Sequence, residues 1–315
     1  MDRIKLGNTD LQISKINFGG NVFGWTLDET ASFKMLDALL EAGINFIDTA
    51  DSYSWWIGKT GVSETIIGKW MKSRGVRDEI VLATKVGSQI STDTSANVSK
   101  EYILKTVEES LERLQTDYID LYYNHFDDNT TPVEETLSAF DELIKAGKVR
   151  HIGASNITTD RLKASFDASE KNNLARYTVL QPHYNLVERK MYETEYAPLV
   201  EKYGMVSLPY FSLAAGFLTG KYRSKDDLSK SVRGGGAKAY LNDKGFSVLK
   251  ALDSVAAKHN SSLATVSLAW LLHQETIAAP LVSATKESHL EALINAPKLK
   301  LDQEDLQTLS EASKH

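Results

Sequence analysis

Four side chains of complementary acid–base character stand at or just beyond the ends of short apolar runs. Asp48 follows Asn45-Phe46-Ile47, Tyr53 comes five residues later, Lys85 follows Val81-Leu82-Ala83-Thr84, and His125 follows Leu121-Tyr122-Tyr123-Asn124. A free phenol has a pKa of about 10, too high for ready proton exchange at neutral pH, but an adjacent ammonium favours phenolate. Lys85 is expected to act in this way on Tyr53. Asp48 would hold the ammonium, because an unpaired charge at a buried strand end costs several kcal/mol. His125 could orient a carbonyl oxygen or share the proton relay. The product of such an array is a general acid for a developing alkoxide. Taken singly, each residue reads as readily as a structural ion pair or rim packing; four together favour proton transfer.

These residues need rigid elements to converge. Short apolar runs at 16–18, 45–50, 80–86, 118–125, 149–155, 177–185, 205–211 and 277–283 alternate with segments of helical period at 28–42, 63–74, 99–114, 133–146, 159–173, 193–203 and 287–296, plus a pair across 243–273. Gly43, Pro132 and Gly147 punctuate the helices. Eight strand–helix units without a linker predict an α/β fold, a (β/α)8 TIM barrel in one domain over 1–315. Gly19, Gly20 and Gly24 lack the spacing of the dinucleotide-binding turn of an open sheet. In a barrel, catalytic groups belong at the C-terminal ends of the strands, where all four candidates fall.

Composition narrows the chemistry. Among 315 residues, 42% are hydrophobic and 25% charged, with 36 basic against 42 acidic side chains and no cysteine. Thiol nucleophiles, disulfides and cysteine metal sites are excluded, and no other metal-ligand set is read. The formal charge of -6 argues against nucleic acid as a partner. No signal-like run opens the chain, and the most apolar segment, 263–272, is half the length a membrane helix needs. A cytoplasmic protein without a membrane partner is expected.

The segments Asp48-Thr49-Ala50-Asp51-Ser52-Tyr53, Thr84-Lys85 and Asp120-Leu121-Tyr122-Tyr123-Asn124-His125 resemble the aldo-keto reductase family, whose tetrad is Asp, Tyr, Lys and His on a (β/α)8 barrel. The likeness continues through Gly147-Lys148-Val149-Arg150-His151-Ile152-Gly153-Ala154-Ser155-Asn156, Gln181-Pro182-His183-Tyr184-Asn185 and Pro209-Tyr210 to Leu218-Thr219-Gly220-Lys221. It implies a small-molecule carbonyl substrate and NADPH, with NADH as the alternative. Ser155, Asn156 and Gln181 would bond the nicotinamide carboxamide, and Tyr210 would stack on the ring. Gly20, Asn21 and Asp48 would border the cofactor. Phe211, Ser212, Leu213, Ala214, Gly216 and Leu218 would cradle the pyrophosphate with Lys221 and Arg233. Ser283, Thr285, Lys286 and His289 would meet the adenosine phosphate, although His289 stands where many members carry arginine or glutamine.

The polar segment 224–240, with four cations, Arg223 just before it and Gly234-Gly235-Gly236, does not suit one continuous helix or strand and is expected to act as a flap over the pyrophosphate. Phe23, Trp25, Trp55, Trp56 and Phe126, together with Tyr123, would wall a largely apolar pocket suited to an uncharged aldehyde or ketone on a ring or sugar-like body. No arginine is expected there. Two other readings remain open: a non-catalytic NADP(H)-sensing subunit, and a Schiff-base aldolase using Lys85.

Overall fold

In the computed structural model, which describes residues 1–314, the apolar runs form eight parallel strands: β3 (Asn17–Gly19), β4 (Phe46–Asp48), β5 (Val81–Val86), β6 (Ile119–Asn124), β7 (Val149–Ser155), β8 (Val179–Gln181), β9 (Val206–Ser207) and β10 (Leu281–Val282). They are ordered β10-β3-β4-β5-β6-β7-β8-β9. The two ends of that order meet. Ser207 N–H donates to the Thr276 carbonyl at 2.8 Å, Ala278 N–H to Ser207 at 3.0 Å, and Leu281 N–H to Pro209 at 2.9 Å. The sheet thereby closes into the expected (β/α)8 barrel.

Alternation along each strand decides what faces inward. Phe46, Val81, Ala83, Leu121, Tyr123, Val179, Leu208 and Ala279 form the apolar barrel interior. Asp48, Lys85 and Gln181 follow in the same parity and arrive at its upper rim. The intervening Ile47, Leu82, Tyr122 and Leu180 belong to the layer beneath the helices. The other end is plugged by a hairpin, β1 (Arg3–Lys5) with β2 (Gln12–Ser14). Leu6, Leu11 and Ile13 fill the interior from that side. This hairpin is not legible in the sequence, because three-residue strands among interleaved charges carry too little periodicity.

The surrounding helices are α1 (Glu29–Glu41), α2 (Val62–Arg74), α3 (Lys100–Leu114), α4 (Val133–Lys145), α5 (Thr159–Asn172), α6 (Ala197–Lys202), α7 (Gly234–Ala237), α8 (Asp243–Lys258), α9 (Leu263–Leu272), α10 (Leu290–Asn295) and α11 (Gln303–Ala312). Asp28, Thr158 and Ser262 cap α1, α5 and α9 by accepting from backbone amides. Nearly all of α9 is buried, which accounts for its apolar sequence. The strands expected over 177–185 and 205–211 are shorter than their apolar runs, since past the rim the chain leaves the ladder. Helix α11 was not expected; Leu306 and Leu309 are too few to mark a period. Residues 224–240 break into three short helical turns, 226–230, 234–237 and 238–240. Among the described residues, no helix is long and apolar enough to cross a membrane.

Candidate active site

Lys85 and Asp48 are fully buried and paired to each other. The Lys85 ammonium also donates to the Thr49 carbonyl at 2.7 Å and to the Tyr53 hydroxyl oxygen at 2.8 Å. All three ammonium protons are therefore engaged. The second Asp48 oxygen accepts from Gln181 Nε2 at 2.9 Å, so β4, β5 and β8 are tied together at the rim. Tyr53 Oη lies 3.4 Å from Asp48 Oδ1. Burial pushes the Asp48 carboxyl up and the Lys85 amine down from their ordinary values, and the contact between them opposes both shifts.

Tyr53 departs from expectation. Burial, reinforced by the Asp48 carboxylate, pushes its phenol well above the ordinary value, where Lys85 was expected to lower it. The sequence reading weighed the neighbouring charge and left out desolvation. The phenol therefore keeps its proton at neutral pH, while Lys85 occupies an acceptor position on its oxygen. His125 stands edge-on to Tyr53, ring centroids 6.1 Å apart at 75°. Burial and then the Lys85 charge hold its imidazole well below the ordinary value, hence neutral.

Around these groups lies an aromatic mouth. Trp56 meets Tyr53 at 6.4 Å and Trp25 at 5.3 Å, the latter edge-on, and Phe126 meets His125 at 5.0 Å. Trp56 and Phe126 are 40% and 41% exposed, as open walls would be. Phe23 does not belong with them: it is fully buried in the core and stacked on Phe18. Tyr123 is also withdrawn, filling the barrel interior beneath Lys85 in space that a side chain at Gly153 would occupy. Trp55 is half-buried and, among the described residues, joins none of these ring contacts. An arginine does reach the mouth. Arg233 lies over the Trp25 ring, 5.5 Å from its centroid, brought there by a segment distant in sequence.

The amide-bearing residues converge beside the tetrad. Ser155 Oγ donates to the Gln181 carbonyl at 2.9 Å, and Asn156 Nδ2 donates to the His125 carbonyl at 2.9 Å. Tyr210 Oη donates to Asn156 Oδ1 at 3.1 Å. Asn156 holds a left-handed φ of 44°, which asparagine tolerates better than most residues. His183, to which the sequence reading gave no role, stacks on Tyr210; its only signal was its place two residues after Gln181.

Beyond Tyr210 the backbone turns left-handed. Phe211, Ala214, Ala215 and Gly216 all have positive φ, the kind of local winding that gathers N–H groups into a concavity. Ser212 pins the loop by donating to the Pro209 and Leu281 carbonyls, both at 2.9 Å. Leu218 is buried and Leu213 partly so, leaving the backbone as the recognition surface. Gly216 holds φ at 90°, a conformation side chains rarely adopt, while a Cβ there would meet only the flexible end of Lys221, 2.9 Å from Nζ. With its amide oriented by its neighbours, Asn21 donates to Ser283 Oγ at 2.7 Å and accepts from Arg233 at 2.9 Å. Gly20 is crowded by Ser63, the Asp48 carbonyl and Phe23, so a side chain is excluded there by packing. Thr285 is half-buried, and Lys286 and His289 are exposed. Partial burial and the ammonium groups of Lys286 and Lys221 hold His289 below its ordinary value, so both lysines lie within electrostatic reach of a neutral imidazole.

Behind Lys85 lies a second group that the sequence did not single out. Glu64 is fully buried and accepts from Thr84 Oγ1 at 2.6 Å and from Arg113 Nε at 2.7 Å. Asp51 is buried within its electrostatic reach. Apart from the approach of the Ser52 backbone amide, its carboxyl lacks a partner among the described residues.

The aldo/keto reductase family model matches residues 15–314. The chain is similar to an aldo-keto reductase of Bacillus subtilis, 34% identical across 99% of this chain and 94% of the relative. It is also similar to a norsolorinic acid reductase of Aspergillus flavus, 32% identical across 98% and 80% respectively. A probable voltage-gated potassium channel subunit beta of Oryza sativa is 32% identical across 90% of this chain and 88% of its own length.

Proposed function

The chain belongs to the aldo/keto reductase family, and on that premise we propose that it reduces an aldehyde or ketone to the alcohol, or runs the reverse oxidation, with NADPH and with Tyr53 as general acid. The observation that carries this reading is the saturated Lys85 ammonium. It donates to the Tyr53 oxygen at 2.8 Å, so the phenol proton is directed to another acceptor: here a long bond to Asp48 Oδ1 at 3.4 Å, which a substrate oxygen would replace. NADPH, when bound, supplies the hydride.

The residues fit that cofactor: the left-handed loop and Lys221 suit a pyrophosphate, and the side-chain amides beside the tetrad suit a carboxamide. Ser155, Asn156 and Gln181 would fix the carboxamide orientation, and with it the face presented to the substrate. Asn21, Ser283 and Arg233 would border the phosphates. Lys286 and Lys221 favour NADPH over NADH, since a 2′-phosphate would meet their combined positive field, with His289 beside them as an uncharged ring able to hydrogen-bond. Tyr53 gives its proton as negative charge develops on the carbonyl oxygen. Lys85 then stabilises the phenolate, and Asp48 holds Lys85 in place. Neutral His125 orients that oxygen, and Trp25, Trp56 and Phe126 hold the apolar body of the substrate.

The test is loss of NADPH absorbance with a panel of uncharged aromatic and sugar-like aldehydes. Consumption with at least one is expected. Tight NADPH binding with no consumption across the panel would favour the sensing-subunit reading, which the likeness to the plant channel subunit keeps in view. The Schiff-base reading needs a neutral amine, and the three contacts of Lys85 oppose it.

A further inference from the structure

We propose that His183 is a positioning residue for hydride transfer, backing the ring of Tyr210 so that the nicotinamide meets a surface of fixed plane. This rests on the reading of Tyr210 as the stacking partner of the cofactor. The two residues are joined at the backbone by a parallel bridge, with Tyr210 N–H donating to the Pro182 carbonyl at 2.9 Å. Their rings lie 5.3 Å apart and only 17° from parallel. A phenol has two faces, and His183 takes one, so a planar ligand has the other.

The imidazole is itself wedged. Phe211 meets it at 5.3 Å and 59°, and Asn185 Nδ2 approaches Nε2 at 3.5 Å. That asparagine is fixed in turn, donating to the Phe211 carbonyl at 3.0 Å and accepting from the Val187 and Glu188 amides. Burial keeps the imidazole below its ordinary pKa, so at neutral pH it stacks as an uncharged ring. The far end of Tyr210 connects to the chemistry: its hydroxyl bonds Asn156, and Asn156 bonds the His125 carbonyl and Ser155 Oγ. A tilt of Tyr210 would therefore displace both the carboxamide contacts and the backbone of the tetrad imidazole. Small misplacements of this kind cost rate as well as affinity.

The experiment compares full-length wild type, His183→Ala, His183→Phe and Tyr210→Leu. It reads NADPH affinity by fluorescence, hydride transfer in a single turnover at saturating NADPH, and melting without cofactor. An aromatic pair of this geometry predicts about three- to tenfold weaker NADPH binding in His183→Ala, with slower hydride transfer. His183→Phe should restore both to within about twofold, because it keeps a flat ring. If His183→Ala melts early, His183→Gln replaces it, removing the ring while keeping much of the bulk. A loss in affinity or rate that phenylalanine restores supports the proposal. No loss in either, or a loss that phenylalanine does not restore, overturns it. Tyr210→Leu separates the two claims. If it weakens NADPH while loss of the His183 ring changes neither affinity nor rate, only the backing role fails; if Tyr210→Leu also leaves affinity unchanged, the stacking role of Tyr210 fails with it.

Discussion

Asp51 shows how a single residue can carry a burial cost that its contacts offset only in part. Burial, and then the charge of Glu64, push its carboxyl well above the ordinary value, which favours its protonated form in the folded protein. In the unfolded chain it ionises near pH ~4. Between that pH and its higher folded value, the folded state holds a proton that the unfolded state has released, so stability falls as pH rises. Asparagine has no such proton. Asp51→Asn should therefore gain melting temperature over wild type on going from pH ~4 to pH ~8; an offset that stays constant with pH would contradict a neutral buried carboxyl. Residue types and spacing made the tetrad legible, because Asp48, Lys85 and His125 interrupt apolar strands. Burial was not legible. For that reason the Tyr53 shift was read with the wrong sign, Phe23 was grouped with rings that stay open, and Asp51 passed unnoticed.

Elements transmit these placements through close contacts. Helix α2 crosses α3 at Gly68, where a Cβ would sit 2.2 Å from the Arg113 carbonyl oxygen. Since the obstacle is backbone, Gly68→Ala should cost about 1–3 kcal/mol in denaturant unfolding. An unchanged midpoint would mean that the helices separate easily. It should also disturb the Arg113–Glu64–Thr84 chain behind Lys85. The 224–240 segment, whose Gly236 approaches Ala215 of the phosphate loop, is proposed to close over the pyrophosphate. Saturating NADPH should then slow its proteolysis, and equal cleavage with and without cofactor would count against closure. Strand–helix alternation was readable because it repeats eight times over long segments. The β1–β2 plug and α11 were not, since each has two or three apolar residues and gains its order from the barrel it covers.

For the molecule as a whole, a net charge of -6 coexists with a positive neighbourhood formed by Lys221 and Lys286 around His289. Composition could exclude a broad basic surface; only the closed barrel brings residue 221 beside 286 and 289. Exposed charges are screened over about 8–10 Å at ordinary ionic strength. Raising salt should therefore weaken NADPH binding more than NADH binding, and equal slopes would remove these cations from 2′-phosphate recognition. The central claim is that Tyr53 donates the proton while other residues hold the cofactor. Its most direct test is Tyr53→Phe, with turnover and NADPH affinity measured on the same preparation. Turnover should fall by about a hundredfold or more, with NADPH affinity within about twofold of wild type, because a phenyl ring keeps the packing and loses only the hydroxyl. Retained turnover, or loss of turnover and affinity together, would contradict the account.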